Sequence, residues 1–310
     1  MSWYEEALAI EPETEARRIQ EFIAEQAGAL GCSGGVLGLS GGIDSAVVTT
    51  LAARALGPEN VLALIMPDRA SDRQNERDAV ALAKSLGITW EVRSITSILR
   101  RVGTYALYSP LVAITPRWVV ERVVQNGERQ FRKKTGQLPF LASLSRRTVP
   151  ELAVGRAYCN SKHRVRAVLI CFYAERLNAL VLGCSNYTEH ATGYYVQYGD
   201  DTGDIAPIQH LYKTQVFRLA EHLGVPRGIL DKPPSPDLMP GVTDETALGL
   251  PYSRLDVVLA GLKAGRDEDQ IASVTGVDAA AVVNVRLMCE RSEPKRTGRV
   301  WLAVSCIEAQ

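Results

Sequence analysis

Apolar residues recur along the first part of the chain at the spacing of an amphipathic helix. They recur at i, i+3, i+4, i+8 and i+11 and are Ile19, Phe22, Ile23, Ala27 and Leu30, with the pattern stopping at Gly31. Because side chains at this spacing share one face of a helix, we predict that a helix of several turns opens the chain.

Short apolar runs then alternate with helical patterns. Runs at 36–39, 61–66, 88–92 and 179–183 predict strands. Between them lie the helical segment ERDAVALAKSLG, preceded by a possible N-cap at Ser71-Asp72 and ended by Gly87, and the segment SKHRVRAVLICFYAERLN after Asn160. This alternation is typical of an α/β fold, with an open parallel sheet flanked by helices on both faces, as in Rossmann-like proteins.

Periodicity is weaker between residues 102 and 158. The segment RWVVERVVQNGERQFRKK is consistent with one amphipathic helix, broken around Asn126-Gly127. We interpret 102–158 as an insertion in a single domain that spans 1–310, and we expect a small helical part at about 250–310. The region before Gly35 is too short to hold a glutaminase domain.

Composition narrows the class of protein. Lys plus Arg and Asp plus Glu number 35 each, so no net charge favours nucleic acid or an anionic membrane. The six cysteines are scattered, with no zinc-binding spacing. No basic-then-apolar leader and no run of about 18 apolar residues occurs. We therefore expect a reduced, cytoplasmic protein that binds neither nucleic acid nor membranes.

The segment GVLGLSGGIDSAVVTTLAARAL, residues 35–56, places a glycine- and serine-rich turn between a strand and a helix. Gly38, Ser40 and Gly42 have the G-x-S-x-G spacing of a serine-hydrolase nucleophile elbow. The same turn could instead hold phosphate, because small residues let backbone amides approach an anion at a helix N-terminus. None of the four histidines stands in a late loop of the sort that α/β-hydrolases use, which disfavours the hydrolase.

A helix N-terminus contributes only about 0.3 to 1 kcal/mol to anion binding, so a triphosphate needs further positive charge. Asp44 has the wrong sign for phosphate unless Mg²⁺ lies between them, since Mg²⁺ takes one or two carboxylates plus phosphate oxygens. Acidic residues also occur routinely in the first turn of a helix. From the turn alone, both interpretations of Asp44 stay open.

The motif Ser40-Gly41-Gly42-Ile43-Asp44-Ser45 resembles the SGGxDS pyrophosphate loop of the N-type ATP pyrophosphatases. Three longer segments resemble the ammonia-dependent NAD synthetases: MPDRASDRQNERDAVALAKSLGI, NSKHRVRAVLICFYAERLNALVLGCSNYTEHATGYYVQYGDDTGDIAPIQHLYKTQVFRLAEHLGVP and KPPSPDLMPGVTDETALGLPYSRLDVVL. This resemblance covers most of the chain outside 102–158. It implies the adenine nucleotide α-hydrolase type of fold. It also implies a ligase in which the carboxylate of deamido-NAD attacks the α-phosphorus of ATP and ammonia then displaces AMP.

The resemblance also implies roles for particular residues. Asp44 and Glu189 match the magnesium positions, and Asp44 and Lys213 are the expected catalytic residues. The residues expected to bind ATP are Ser40, Gly41, Gly42, Asp44, Ser45, Cys184, Lys213 and Ser235. Those expected to bind the acid substrate are Arg164, Gln197, Asp204 and Lys295. Arg166 is open between a role at the substrate and a buried ion pair.

Several positions depart from the family pattern. Cys184 stands where the family usually has threonine, Gln197 replaces a lysine, and Pro294 replaces the histidine before Lys295. The segment 102–158 is also longer than the family pattern. The three departures on the substrate side, at Gln197, Pro294 and this segment, suggest an alternative, in which the same adenylation and amidation act on a different carboxylic acid. A serine hydrolase using Ser40 is a remote third possibility. The family further implies a homodimer that uses ATP and Mg²⁺, with ammonia free or delivered by a separate glutaminase.

Overall fold

A parallel sheet of four strands forms the centre of the computed structural model, which describes residues 2–145 and 149–297. The strand order is β3-β2-β1-β4, and the bounds are β1 Gly34–Gly38, β2 Val61–Ile65, β3 Thr89–Val92 and β4 Ala179–Val181. Gly35 of β1 pairs with Val61 of β2 and with Leu180 of β4. All pairs are parallel, as the sequence pattern predicts.

Helices of varied length connect and surround the strands. Those in the described ranges are α1 Trp3–Ala7, α2 Pro12–Ala29, α3 Ile43–Leu56, α4 Arg73–Leu86, α5 Thr96–Val102, α6 Arg117–Thr135, α7 Pro139–Leu144, α8 Ala153–Leu177, α9 Tyr187–Thr192, α10 Lys213–Leu223, α11 Arg227–Leu230, α12 Asp244–Leu248, α13 Tyr252–Lys263, α14 Glu268–Thr275 and α15 Ala279–Arg296. No single helix among them is long and apolar enough to cross a membrane, although the bent pair α14 and α15 meets the length and composition criteria together.

The two faces of the sheet pack against different helices. Successive side chains of a strand point to opposite faces, and Leu37 accordingly packs in one apolar cluster with residues of α2, α3, α4 and α10. Val36 packs in another cluster, with Leu99 of α5 and Tyr173 of α8. Helices therefore cover both faces, which confirms the predicted fold class.

A third apolar cluster lies in the C-terminal helices. Leu255 and Val258 of α13 pack there with Ile271 of α14 and Val285 of α15, and Leu141 of α7 joins them. α13, α14 and α15 are the helices that the structure describes within the range 250–297. Residues 298–310 lie outside the described part of the chain.

Some of the predicted helix ends and buried positions agree with the structure, and others do not. Asp72 caps α4 by accepting a hydrogen bond from Gln74 N (2.9 Å), as expected. The break at Asn126-Gly127 is wrong, because α6 is continuous and a single interior glycine costs only about 1 kcal/mol. The helix expected from residue 161 already begins at Ala153. Phe22 in α2 is 38% exposed and Leu30, the residue after this helix, is 57% exposed, so the buried stripe is narrower than predicted.

Candidate active site

One cavity opens at the carboxyl ends of the parallel strands, where ligands bind in open α/β sheets. The ends of β1, β2 and β4 line it together with the start of α3, part of α8 and the loop before α12. The predicted site residues that line it are Ser40, Gly42, Asp44, Ser45, Cys184, Glu189, Lys213 and Ser235. Residues from four segments of the sequence, 40–45, 184–189, 213 and 235, thus meet in one place.

The turn between β1 and α3 has the backbone geometry of an anion-binding loop. Gly41 has a φ of +79°, and a Cβ built on it would lie 2.2 Å from the carbonyl oxygen of Asn75, so only glycine fits. Helix α3 begins after Gly42 without a side-chain cap. Its first amides are therefore available to an anion at the positive end of the helix.

Two serine hydroxyls satisfy polar groups of this turn. Ser45 Oγ accepts from Ser40 N (3.2 Å) and donates to Gly42 O (3.0 Å). Ser40 Oγ lies 3.0 Å from Ser45 Oγ and accepts from Gly42 N (3.2 Å). Hydroxyl oxygens within the turn thus satisfy the amides of Ser40 and Gly42.

A buried lysine joins two carboxylates beside the turn. The Lys213 side chain is 2% exposed; its Nζ donates to Asp44 Oδ2 and lies 3.7 Å from Glu189 Oε1. Burial alone would lower the pKa of Lys213, but Asp44 and Glu189 raise it above its ordinary value. Burial and the charge of Asp44 raise the pKa of Glu189 well above its usual range. Negative groups thus outnumber the ammonium.

The ends of α9 and α10 position this cluster. Lys213 is the first residue of α10, and its backbone N donates to Thr188 Oγ1 (3.0 Å). Asn186 caps α9 by accepting from Glu189 N (3.0 Å), while its Nδ2 donates to Asp44 Oδ1 (2.9 Å). Asn186 was not predicted as a site residue, although its N-x-x-E spacing is that of a capping box.

Asp244 is a further carboxylate that the sequence analysis missed. It is buried and lines the cavity, and its Oδ2 accepts from Tyr252 OH (3.0 Å). Its Oδ1 has no hydrogen-bond partner. Burial raises the pKa of Asp244, although Lys213 opposes the shift. This carboxyl adds to the excess of acidic groups around Lys213.

The carboxylates of Asp44 and Glu189 suit a metal ion that binds only together with a substrate. Within 2–145 and 149–297, no group of three or more His, Cys, Asp or Glu side chains could hold a metal ion by itself. Asp44 and Glu189 share Lys213 Nζ and so approach one another. Two carboxylates completed by phosphate oxygens and water are the ligands that Mg²⁺ takes in nucleotide sites.

The remaining predicted ATP ligands lie on the cavity wall. Ser235 Oγ donates to Val242 O (3.1 Å) and accepts from Asp237 N (3.2 Å), so it is held within its own loop. Cys184 follows β4, with Sγ 3.8 Å from Leu182 O. Burial raises the pKa of this thiol. Cys184 is therefore a weak, uncharged polar group at this wall.

The four predicted substrate residues do not line the cavity. Arg164 donates from Nε and Nη2 to the backbone oxygen of Gln197 (both 3.3 Å), and Asp204 Oδ2 accepts from Val181 N (2.8 Å). Lys295 donates to Gly193 O (2.5 Å) and to the carbonyl oxygen of Tyr195. The structure thus unites the ATP and metal positions, while the substrate positions contact backbone oxygens and amides elsewhere.

Arg166 and His163 line the cavity from α8, although neither was assigned a role. Arg166 Nε donates to Met66 O (3.1 Å), and burial lowers the pKa of its guanidinium. Of the two open interpretations of Arg166, its place on the cavity wall favours a ligand contact.

No catalytic base accompanies Ser40. All four histidines lie in the described part of the chain, and none forms a hydrogen bond with Ser40 Oγ, whose partners are Ser45 Oγ and Gly42 N. His163 Nε2 instead lies 3.7 Å from Asp200 Oδ2. A serine hydrolase needs a histidine that accepts the serine proton, so this hypothesis is wrong.

Known proteins are similar to this chain in sequence over most of its length. The family model described as NAD synthase matches residues 15–111 and 139–298. An NH₃-dependent NAD⁺ synthetase from Thermotoga neapolitana is 44% identical over 275 residues, which cover 89% of this chain and 91% of that protein. One from Methanopyrus kandleri is 39% identical over 82% of this chain and 76% of its own length. The unmatched stretch 112–138 contains α6 and lies inside the predicted insertion.

Solved structures agree with the sequence relatives. NMN synthetase from Francisella tularensis is 28% identical, with a TM-score of 0.68 over 96% of this chain and 100% of that one. NH₃-dependent NAD synthetase from Campylobacter jejuni, in complex with the nitrate ion, is 26% identical, with a TM-score of 0.66 and the same coverage of both chains. The match of the family model over residues 15–111 and 139–298 and the 44% identity to a relative over 89% of the chain lead to one conclusion: the chain belongs to the NAD synthase family.

Proposed function

We propose that this protein is an ATP-dependent carbon–nitrogen ligase that converts deamido-NAD to NAD with ammonia. The observation that carries the proposal is the convergence of the Ser40–Ser45 turn, Lys213, Asp44 and Glu189 in one cavity. Membership of the NAD synthase family and the activity for which its relatives are named support the same reaction.

Adenylation would need no nucleophile from the protein. A carboxylate oxygen of the substrate bonds to the α-phosphorus of ATP while the bond to the bridging oxygen of pyrophosphate breaks. Ammonia then bonds to the activated carbonyl carbon, AMP leaves, and the nitrogen loses a proton. Catalysis would rest on alignment and on stabilisation of charge at the phosphates.

The residues of the cavity fit the first step. Amides of the turn, with Ser40 and Ser45, would bind the departing pyrophosphate. Lys213 would exchange its contact with Asp44 for a phosphate oxygen and so supply the charge that the helix end lacks. Asp44 and Glu189 would hold Mg²⁺, which neutralises phosphate charge when bound.

A second candidate is amidation of a smaller acid, nicotinic acid mononucleotide. Two observations favour it: the departures at Gln197 and Pro294, on the substrate side, and the similarity over nearly the whole chain to the structure named NMN synthetase. The chemistry at the phosphates would be identical, so only the acid distinguishes the candidates.

The test is a competition between the two acids. Purified protein receives ATP, Mg²⁺, ammonium chloride and either deamido-NAD or nicotinic acid mononucleotide, and pyrophosphate release is followed with amide formation. We expect kcat/KM to be at least about tenfold higher with deamido-NAD, a difference of 1.4 kcal/mol in transition-state binding. A preference for the mononucleotide supports the second candidate, and turnover with neither acid refutes both.

We further propose a cytoplasmic homodimer that takes ammonia from solution or from a separate glutaminase. The family resemblance supports the dimer, and a cytoplasmic site gives access to ATP. Sedimentation equilibrium of the full chain tests the assembly: a mass of one chain at micromolar concentration would contradict it. Adding a glutaminase and glutamine in place of ammonium tests the second ammonia source.

A further inference from the structure

We infer that Lys232 is a positioning residue that holds the Gly41–Gly42 peptide of the phosphate-binding turn in its anion-binding orientation. This inference rests on the proposed use of ATP at that turn. Lys232 lies in the loop 231–243, between α11 and α12, and lines the cavity. From this loop the sequence analysis assigned only Ser235.

Lys232 connects three parts of the structure through one ammonium group. Its Nζ donates to Gly41 O (3.0 Å) in the turn and to Asn75 Oδ1 (2.8 Å) in α4. It also forms an ion pair with Asp78 Oδ2 (2.6 Å), one helical turn further along α4. The loop that carries Ser235 is thereby tied to both the turn and α4.

The contact with Gly41 O fixes the direction of a neighbouring N–H. The peptide unit is planar and trans, so the carbonyl of Gly41 and the amide of Gly42 point in opposite directions. With Gly41 O held by Lys232, Gly42 N–H points toward Ser40 Oγ, at 3.2 Å, beside the cavity. Two adjacent glycines leave this peptide easily rotated, and rotation would turn a carbonyl oxygen toward the phosphates.

The contacts of Lys232 indicate that its ammonium binds other protein groups and not the phosphates. An ammonium has three N–H donors; two of those of Lys232 donate to Gly41 O and Asn75 Oδ1, and Asp78 Oδ2 lies 2.6 Å from the same Nζ as its ion-pair partner. Asp78, whose side chain is 13% exposed, balances its charge. Lys213 differs, because the carboxylates around it outnumber it, and a cation that bound Asp44 and Glu189 would free its ammonium for a phosphate oxygen.

The central variant is Lys232→Met, which keeps the length of the side chain and removes its donors. We expect Kd for Mg·ATP and KM for ATP to rise about tenfold, with a smaller fall in kcat, because the turn loses its orientation while Lys213 is intact. Lys232→Arg should recover part of the affinity. Lys84→Met, at an exposed lysine of α4, is the matched control and should bind ATP as the wild type does.

The variant Asp78→Asn distinguishes two roles for Lys232: positioning of the turn and direct binding of phosphate. It removes the charged anchor of Lys232 and adds net positive charge near the phosphates. A positioning role requires weaker ATP binding in this variant, because the ammonium leaves Gly41 O. If Lys232 were a phosphate ligand, freeing it would leave Kd unchanged or lower it, and this result would overturn the inference.

ATP binding is measured by calorimetry without any acid substrate, so the result stands even if deamido-NAD is not the acid. Urea unfolding of each variant checks that the fold is intact. Wild-type ATP affinity in folded Lys232→Met would overturn the inference. Loss of affinity in Lys232→Met and Asp78→Asn, but not in Lys84→Met, would support it.

Discussion

Two fully buried lysines in this chain, Lys162 and Lys213, have opposite electrostatic surroundings. Lys162 Nζ meets one carboxylate, Asp68 Oδ2 at 2.9 Å, and donates to Leu238 O at 2.8 Å. Asp68 is in turn satisfied by Ser71 Oγ (3.0 Å) and Tyr105 OH (3.1 Å). Lys213 meets Asp44 and Glu189 together.

The pKa shifts of the two clusters differ accordingly. Burial lowers the pKa of Lys162 despite Asp68, whereas the carboxylates raise the pKa of Lys213 despite burial. Burial would raise the pKa of Asp68, but Lys162 holds it below its ordinary value. The pKa of Glu189 lies well above its ordinary value. A balanced buried pair is a structural feature, while a buried excess of negative charge is suited to a cation brought by a substrate.

The largest expected effect is a loss of activity when the carboxylates around Lys213 are changed. Asp44→Asn should lower kcat for pyrophosphate release about a thousandfold, roughly 4 kcal/mol, because one of two metal carboxylates is lost. The urea midpoint should stay close to that of the wild type, since the change relieves repulsion with Glu189. Asp231→Asn, at a side chain 70% exposed, is the control. Near-normal turnover in Asp44→Asn would place the metal elsewhere.

The next effect is on stability. Asp68→Asn leaves the ammonium of Lys162, whose side chain is 0% exposed, without its counter-charge. Breaking a buried pair in this way costs about 3 to 5 kcal/mol, and we expect about 3 because the asparagine oxygen can still accept a hydrogen bond. Urea unfolding at pH 7 measures it, and a change under about 1 kcal/mol would contradict a balanced structural pair.

Lowering the pH should weaken the Lys162–Asp68 ion pair of the wild type. The free energy of unfolding should fall by less than it does in Asp68→Asn. The pKa of Asp68 is lowered in the folded state, so the unfolded chain binds its proton first. The stabilisation is complete above about pH 4 and is lost as the pH falls through the folded pKa. Unfolding free energies between pH 7 and pH 3 should therefore fall more steeply in the wild type than in Asp68→Asn. Parallel profiles would contradict the shift.

The smallest effect concerns the cavity wall beside Lys213. Cys184→Thr supplies the hydroxyl that the family usually has, a better hydrogen-bond donor than a thiol. We expect KM for ATP to fall about threefold, consistent with a hydrogen bond worth about 0.5 to 1.5 kcal/mol. Cys171→Thr, at an exposed position of α8, serves as the control. An unchanged or higher KM would show that Cys184 does not contact ATP.

Local patterns made much of the fold and of the ATP side of the cavity predictable. The runs that became β1 and β2 are apolar because helices cover both faces of the sheet. Ser40, Gly42 and Asp44 lie in one contiguous turn at a strand end, so a short motif sufficed to identify them. In α6 the pattern predicted the helix but misjudged Gly127, whose penalty is small.

Contacts between distant segments could not be predicted. Lys232 and Gly41 are 191 positions apart, and Asn186 and Asp44 are 142 apart. Arg164 and Arg166 are two positions apart on one helix and so point to nearly opposite sides. Sequence spacing alone did not show that Arg166 lines the cavity while Arg164 reaches the backbone of Gln197.

The most direct test of the central claim is the effect of Mg²⁺ on ATP binding. Calorimetry would compare the wild type with the double variant Asp44→Asn/Glu189→Gln, each titrated with ATP in the presence and absence of Mg²⁺. We expect Mg²⁺ to strengthen ATP binding at least about tenfold in the wild type, or 1.4 kcal/mol, and to have little effect in the double variant. An equal gain from Mg²⁺ in both proteins would contradict the assignment of these two carboxylates as the metal site.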